Sequence, residues 1–457
     1  MTKRNPRASV GWMLFCGVVP IVGGVFYLFF GVNRIRTKAA KWKKRGLFDS
    51  GRKREYDGVC SELARAYPDH VDTVSALIAV SDKVSHRPLL PGNRVEPLFN
   101  GDNAYPRMIE AIGNAEKTVY LCTYLFDSDE LGMKFVDALG ATAARGVDVR
   151  VIVDAVGERY SRGSRVGKYL AGRQGVRFAP FLPLAFSPRS LAINLRLHRK
   201  ILIVDSEIGF TGGMNIGGQN LVEDDRNDHK ISDLHFQFHG PVVYEMEDVF
   251  LEDWYFCTRE MPELPPPTAP AEPAGTALCR GISDGPNEDY EVLTWILVGA
   301  IGVARERVQI MTPYFLPSDE ILSALNAAVL RGVRVDVILP ESNNVPVIAW
   351  AAQDRLQDVL EHGVRVYYQP DPFSHTKLLL MDDRYVLLGS ANMDPRSLRL
   401  NFEFNVEVYD PALARQLSQR FDDTLARSRE VTREELAKRG FFTKLRDSVA
   451  KLLSPYL

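Results

Sequence analysis

From Val10 to Val32 no charged residue occurs over 23 positions. A helix of that length reaches about 35 Å, enough to cross the hydrocarbon core of a bilayer. The pattern therefore predicts a membrane anchor in residues 1–45, with its span at about 10–32. The apolar run is too long for a cleaved signal, and Arg34 and Arg36 follow it directly. Pro20, Gly23 and Gly24 mark where the helix would kink or re-enter.

Beyond the anchor the period changes. Residues 46–90 read as a polar helical connector. Residues 118–124 form a strand pattern, 131–144 have helical spacing and stop at Arg145-Gly146, and 147–153 are a second strand. The same grammar returns as a strand at 308–312, a helix at 321–330 ending at Arg331-Gly332, and a strand at 333–339. The segments RGVDVRVIV and RGVRVDVIL are near copies. A proline-rich stretch, expected as a linker over 262–285, separates them. The chain thus reads as a tandem α/β duplication. The first domain covers 91–261 and the second 286–457, the latter ending in an amphipathic helix.

Composition adjusts this picture only modestly. At 457 residues there is room for two cores, and 46% hydrophobic with 25% charged residues is a globular balance. A formal net charge of −2 removes any bulk-charge argument for nucleic-acid binding, and no nucleic-acid partner is expected. Cys16, Cys60, Cys122, Cys257 and Cys279 are odd in number and lack CxxC spacing, which argues against a disulfide framework or a zinc site.

Each half also carries one long shared pattern, H-x-K-x4-D-x6-G-[GS]-x-N. In the first half it supplies His198, Lys200, Asp205, Gly213 and Asn215; in the second, His375, Lys377, Asp382, Ser390 and Asn392. The histidines are 177 residues apart and every later offset matches, so chance is excluded. On a strand, residues two apart share a face, so each His and Lys point together. Asp205 and Asp382 belong to the catalytic motif, yet have the opposite parity and read as structural partners. If the halves pack about a two-fold axis, two His, two Lys and two Asn converge. One imidazole can then attack a phosphodiester while the other protonates the departing alcohol. The lysines and asparagines hold the non-bridging oxygens. No metal or other cofactor is required, because the cations are already in the protein.

These residues resemble the phospholipase D (PLD) superfamily, and LHRKILIVDSEIGFTGGMNIG, MTPYFLPSDE and GSANMDPRSLRLNFEFN resemble its bacterial cardiolipin synthase branch. The resemblance implies tandem α-β-α sandwich domains with pseudo-two-fold symmetry and one shared site. It implies phosphatidyl transfer between two phosphatidylglycerols through a phosphohistidine, with His198 as nucleophile and His375 as general acid and then base. It also implies an orienting carboxylate for each histidine: Glu403 is the family acid of the second half, and Asp233 fits that role in the first, without the arginine that usually precedes it. Two other readings use the same site: hydrolysis or transfer to another alcohol, and, more remotely, a membrane-attached nuclease. The heavier basic flank after the span, from Arg34 to Arg45, predicts a catalytic body on the cytoplasmic side of a bacterial inner membrane. Two apolar features complete the reading. Residues 181–186 line an acyl-chain entrance, dip into the membrane or pack in the core. The C-terminal helix lies on the bilayer or packs against the body.

Overall fold

The computed structural model describes residues 6–27, 71–163, 165–183, 195–260, 273–285 and 291–452. Among these residues seventeen strands alternate with helices. The first half holds β1 (Leu90–Phe99), β2 (Thr118–Thr123), β3 (Asp148–Asp154), β4 (Val176–Phe181), β5 (Ile201–Val204), β6 (Ile208–Gly212), β7 (Ile231–Ser232) and β8 (Leu234–His239). The second holds β9 (Ala277–Asp284), β10 (Arg307–Met311), β11 (Arg334–Pro340), β12 (Arg365–Gln369), β13 (Phe373–Ser374), β14 (Leu378–Met381), β15 (Tyr385–Gly389), β16 (Glu403–Tyr409) and β17 (Arg429–Glu430).

Fifteen of these strands form one sheet whose order is the same in each half, read outward from the centre: β1-β8-β6-β5-β2-β3-β4 and β9-β16-β15-β14-β10-β11-β12, with β17 on the second edge. β1 and β9 meet antiparallel in the middle, Leu90 opposite Cys279. This repeated order is the pseudo-symmetry expected of a duplication. The neighbours β2-β3-β4 and β10-β11-β12 run parallel, as strand–helix–strand units require.

Period-two alternation divides each motif strand between two cores. Ile201 and Ile203 join the apolar layer that runs under both halves, while Leu202 and Val204 join a core confined to the first half. Leu378 and Leu380 enter the shared layer, and Leu379 and Met381 a core of the second half. Two long helices, Val242–Thr258 and Pro411–Leu425, cover the shared layer. On the other face lie Asn100–Asn114 and Glu130–Ala144 in the first half, and Val292–Val303, Asp319–Leu330 and Pro346–Leu360 in the second.

Three expectations change. The linker expected over 262–285 ends earlier, because Ala277–Asp284 is a fully buried central strand paired with both β1 and β16. Its prolines all lie before that strand, in residues largely outside those described. The connector is no passive tether: the helix Val71–Ser85 puts Val74, Leu77 and Ile78 into the second half's core. The apolar N-terminus is not one straight helix over its described part. It forms α1 (Pro6–Val18) and α2 (Pro20–Phe26), and among the described residues no helix is long and apolar enough to cross a membrane. Pro20 lacks the amide that would continue α1, and the chain folds back until the rings of Trp12 and Tyr27 are 5.3 Å apart. A Cβ on Gly23 would stand 2.7 Å from the Phe15 carbonyl, so glycine permits this close packing. Residues 28–32 of the expected span lie outside the described residues.

Candidate active site

β5 and β14 each run from a His-x-Lys segment into a two-residue turn. Asp205 and Ser206, like Asp382 and Asp383, have positive φ, and the turns close through Glu207 N–H to Val204 O and Arg384 N–H to Met381 O, both 3.0 Å. This geometry matches the sheet twist of a tight hairpin. The motif aspartates therefore sit at the far end of the strand from their histidines. Asp205 accepts the amides of Glu116, Lys117 and Thr118 at 2.7–2.8 Å. Asp382 accepts those of Arg305, Glu306 and Arg307 at 2.8–2.9 Å. Counting these two aspartates with the catalytic residues is corrected here: each ties its hairpin to the start of the neighbouring strand.

The histidines are anchored across the two-fold. His198 Nδ1 lies 2.9 Å from Glu403 of the second half, and His375 Nδ1 lies 3.0 Å from Asp233 of the first. The backbone crosses likewise: His198 N–H donates to Phe402 O at 2.9 Å and His375 N–H to Ser232 O at 2.8 Å. Each half supplies one carboxylate, and each carboxylate serves the histidine of the opposite half. An ionised carboxylate can only accept, so each Nδ1 donates and each Nε2 is left bare in the neutral ring.

The two acids are held differently. Glu403 also accepts from Ser390 Oγ at 2.5 Å and Asn401 Nδ2 at 3.2 Å. Asp233 accepts from its neighbour Leu234 N–H at 2.7 Å. Gly213 stands where Ser390 does, and a Cβ there would collide with the Asp233 carboxylate. Burial opposes ionising Glu403, but His198, Lys200 and Ser390 hold its carboxyl below the usual range.

Lys200 Nζ donates to its own His198 carbonyl at 2.6 Å, and Lys377 Nζ to that of His375. Burial pushes Lys200 down to about 8 and Lys377 down to about 7; Asp233 and Glu403 oppose this in both. Burial likewise lowers His198, and lowers His375 to about 4 with help from Lys377. The charge of Lys377 bears on His198, and that of Lys200 on His375. The four groups therefore share one electrostatic site.

Asn215 spends its Oδ1 on Leu125 N–H at 3.1 Å and on Thr123 Oγ1 at 3.4 Å, leaving the amide nitrogen without a partner among the described residues. Asn392 is buried, and its Oδ1 has no partner among the described residues. Sequence reasoning did not find Asn401, or the rings of Tyr124 and Tyr314. These lie 5.6 Å from His198 and 6.5 Å from His375. A signal existed, since each tyrosine lies within two residues of a threonine at the end of the first strand of a repeat unit: Tyr124 follows Thr123, and Tyr314 lies two beyond Thr312. The apolar segment at 181 divides: Phe181 is core, stacked on Phe256 and edge-to-face with Phe402, and 184–186 lie outside the described residues. The C-terminal helix Phe441–Leu452 docks on Pro346–Leu360 through Lys451–Asp354 at 2.9 Å and Arg446 stacked on Trp350.

Residues 108–254 and 297–425 match the family described as cardiolipin synthase, PLD-like domain, and residues 1–31 match the phospholipase D-nuclease N-terminal family. The chain is 31% identical over 463 residues to the major cardiolipin synthase ClsA of Bacillus subtilis (strain 168), covering 100% of this chain and 95% of that protein. It is 30% identical over 467 residues to a cardiolipin synthase of Clostridium perfringens (strain 13 / Type A), again with 100% and 95% covered. The crystal structure of phosphatidylserine synthase from Haemophilus influenzae Rd KW20 superposes with a TM-score of 0.65 at 17% identity, over 83% of this chain and 100% of that one. This last likeness speaks to the fold alone. With two copies of the motif on one sheet, and relatives of matching length, the chain belongs to the PLD-like cardiolipin synthase family.

Proposed function

We propose that this enzyme transfers a phosphatidyl group between two phosphatidylglycerol molecules, giving cardiolipin and glycerol. The observation that carries the chemistry is the crossed anchoring of the two Nδ1 atoms, which leaves two Nε2 atoms for one phosphorus centre. The full-length relatives support the substrate.

In the first step His198 Nε2 attacks phosphorus, the bond to the departing glycerol oxygen breaks, and that oxygen takes a proton from His375. In the second, the headgroup hydroxyl of another phosphatidylglycerol gives its proton to His375 and attacks phosphorus, breaking the P–N bond and freeing His198. Lys200, Lys377, Asn215 and Asn392 hold the non-bridging oxygens. The incoming phosphodiester is an anion, so its arrival raises the depressed His375 towards the protonated form it needs. We assign the nucleophile to His198, the order the resemblance implies. Mass spectrometry of a quenched reaction tests this: a phosphatidyl adduct on His375 would reverse the order.

The deciding assay is detergent-solubilised protein with phosphatidylglycerol and no added metal, followed by lipid analysis. Cardiolipin with released glycerol is the expected product. Phosphatidic acid alone would make the enzyme a hydrolase, and cleavage of DNA without lipid turnover would make it a nuclease.

The lysines predict the pH profile. An ammonium is charged below its pKa, so the phosphate grip is present at low pH and lost as pH rises through about 7 to 8. We expect kcat/KM, which already declines with rising pH because His375 must be protonated, to fall a further roughly tenfold per pH unit above that range for each lysine that must be charged. Lys377→Arg should move this limb upward, because a guanidinium stays ionised. A profile that does not steepen before the ordinary lysine value of about 10.4 would refute this role.

We also place the catalytic body on the cytoplasmic side of a bacterial inner membrane. The ten basic residues flanking the apolar segment support this: three precede it and seven follow it. The exposed apolar surface of the N-terminal hairpin, where Val18 and Ile21 are 79% and 84% exposed, supports the attachment to a membrane.

A further inference from the structure

The two halves share one sheet order but differ behind the histidine strands, on the face opposite the catalytic groups. In the first half that space is filled. Arg199, between His198 and Lys200, is 1% exposed and donates to Asp253 at 2.6 Å and Ser283 at 2.8 Å while lying over the Phe402 ring. Phe402, Phe181 and Phe256 pack against one another beside it, with ring centres 5.1–6.1 Å apart.

The second half puts small or polar residues at the matching positions. Thr376 stands between His375 and Lys377. Ser232 replaces Phe402 as the acceptor of the histidine amide. Gln369 replaces Phe181 as the last residue of the third parallel strand. What remains is a cavity of about 200 Å³ at the seam of the halves, whose lining includes these three residues, Ser374, Arg420 and Arg427.

Several polar side chains of the lining lack hydrogen-bond partners among the described residues. Gln369 is 6% exposed and its buried Oε1 has no hydrogen bond. Ser374 and Thr376 are buried, and no protein group bonds their hydroxyls. Arg420 and Arg427 form no ion pair among the described residues, and the Arg420 guanidinium lies 5.3 Å from the Phe99 ring centre. Two carboxylates also line the space, but Asp371 accepts from Ser342, and Asp233 from His375 and Leu234. Unpaired guanidiniums suit a phosphate, and a buried amide oxygen calls for a hydroxyl donor.

We propose that this cavity is a second, non-catalytic site for a phosphate ester of a small polyol. Its natural ligand, which rests on the phosphatidylglycerol reading, is a glycerophosphate group, either free or as a lipid headgroup. The site lies behind the strand that carries His375 and shares Ser232 and Asp233 with that histidine's anchoring.

The test uses binding rather than turnover. Lys200→Met/Lys377→Met in the full chain removes the phosphate grip of the active site. In that background calorimetry with glycerol 3-phosphate should still show one site per chain. Adding Arg420→Ala and Arg427→Ala, both at exposed positions, should weaken it at least about tenfold, the loss expected of one charge-assisted hydrogen bond. Gln369→Leu should narrow the preference for glycerol 3-phosphate over inorganic phosphate. Repeating the titration with phosphatidylglycerol micelles separates the sources: binding there identifies a headgroup, and binding of the soluble ester alone identifies a free ligand. Affinity unchanged by the arginine substitutions, in protein of unaltered Tm, would overturn the proposal. So would the absence of binding to either probe. Neither result would touch the cardiolipin assay, which is read from products.

Discussion

Replacing His198 with alanine is expected to lower phosphatidyl transfer on the order of 10⁵-fold, the scale seen when a nucleophile is removed. The protein should remain folded. The imidazole is 13% exposed at the site, its packing is with Tyr124, and the contact that positions the Lys200 ammonium is a backbone carbonyl that alanine keeps. His375→Ala should cost less, about 10²–10⁴-fold, because general acid–base catalysis is lost while the nucleophile remains. A phosphodiester with a nitrophenolate leaving group separates the two roles. It departs without a proton, so the first turnover should recover in the His375 variant and stay absent in the His198 variant. Equal recovery in both would remove His198 from the covalent step.

Asp382→Ala should act on stability instead. Its carboxylate is 5% exposed and satisfies three consecutive amides at 2.8–2.9 Å. Alanine strands those donors, and at φ 52° it also lacks the local polar support that lets aspartate adopt the left-handed region. The expected loss is about 2–4 kcal/mol, or a Tm lower by roughly 5–15 °C, for a group bonded in this way. The fraction that stays folded should turn over near the parent rate. A loss of kcat of about 10³-fold with an unchanged Tm would instead return this residue to the chemistry.

The duplicated motif was legible because its offsets repeat and because period two places His and Lys on one face. The cores of β5 and β14 followed from the same parity. What local pattern cannot show is which half a side chain serves. Glu403 and Asp233 were recognisable as acids, but their exchange across the seam depends on β7 and β13 pairing between halves and on the bridge from Leu197 to Phe402, contacts with no sequence-local trace. The central strand Ala277–Asp284 was hidden by its proline-rich approach. The N-terminal fold-back turns on Pro20 and Gly23, visible as a possible kink but without a direction. Pocket contents were least legible of all, since Thr376 acquires meaning only beside the equivalent Arg199.

The exchange of carboxylates also bears on how such a chain diverges. A lone half would carry an imidazole without its acid, so its working ancestor would be a symmetric pair of identical subunits. In such a pair every substitution is made twice, and an arginine behind one histidine must stand behind the other. Joining the halves in one polypeptide lifts that obligation. One copy can then keep a solid backing while the other hollows out, without either imidazole giving up the acid that steadies it.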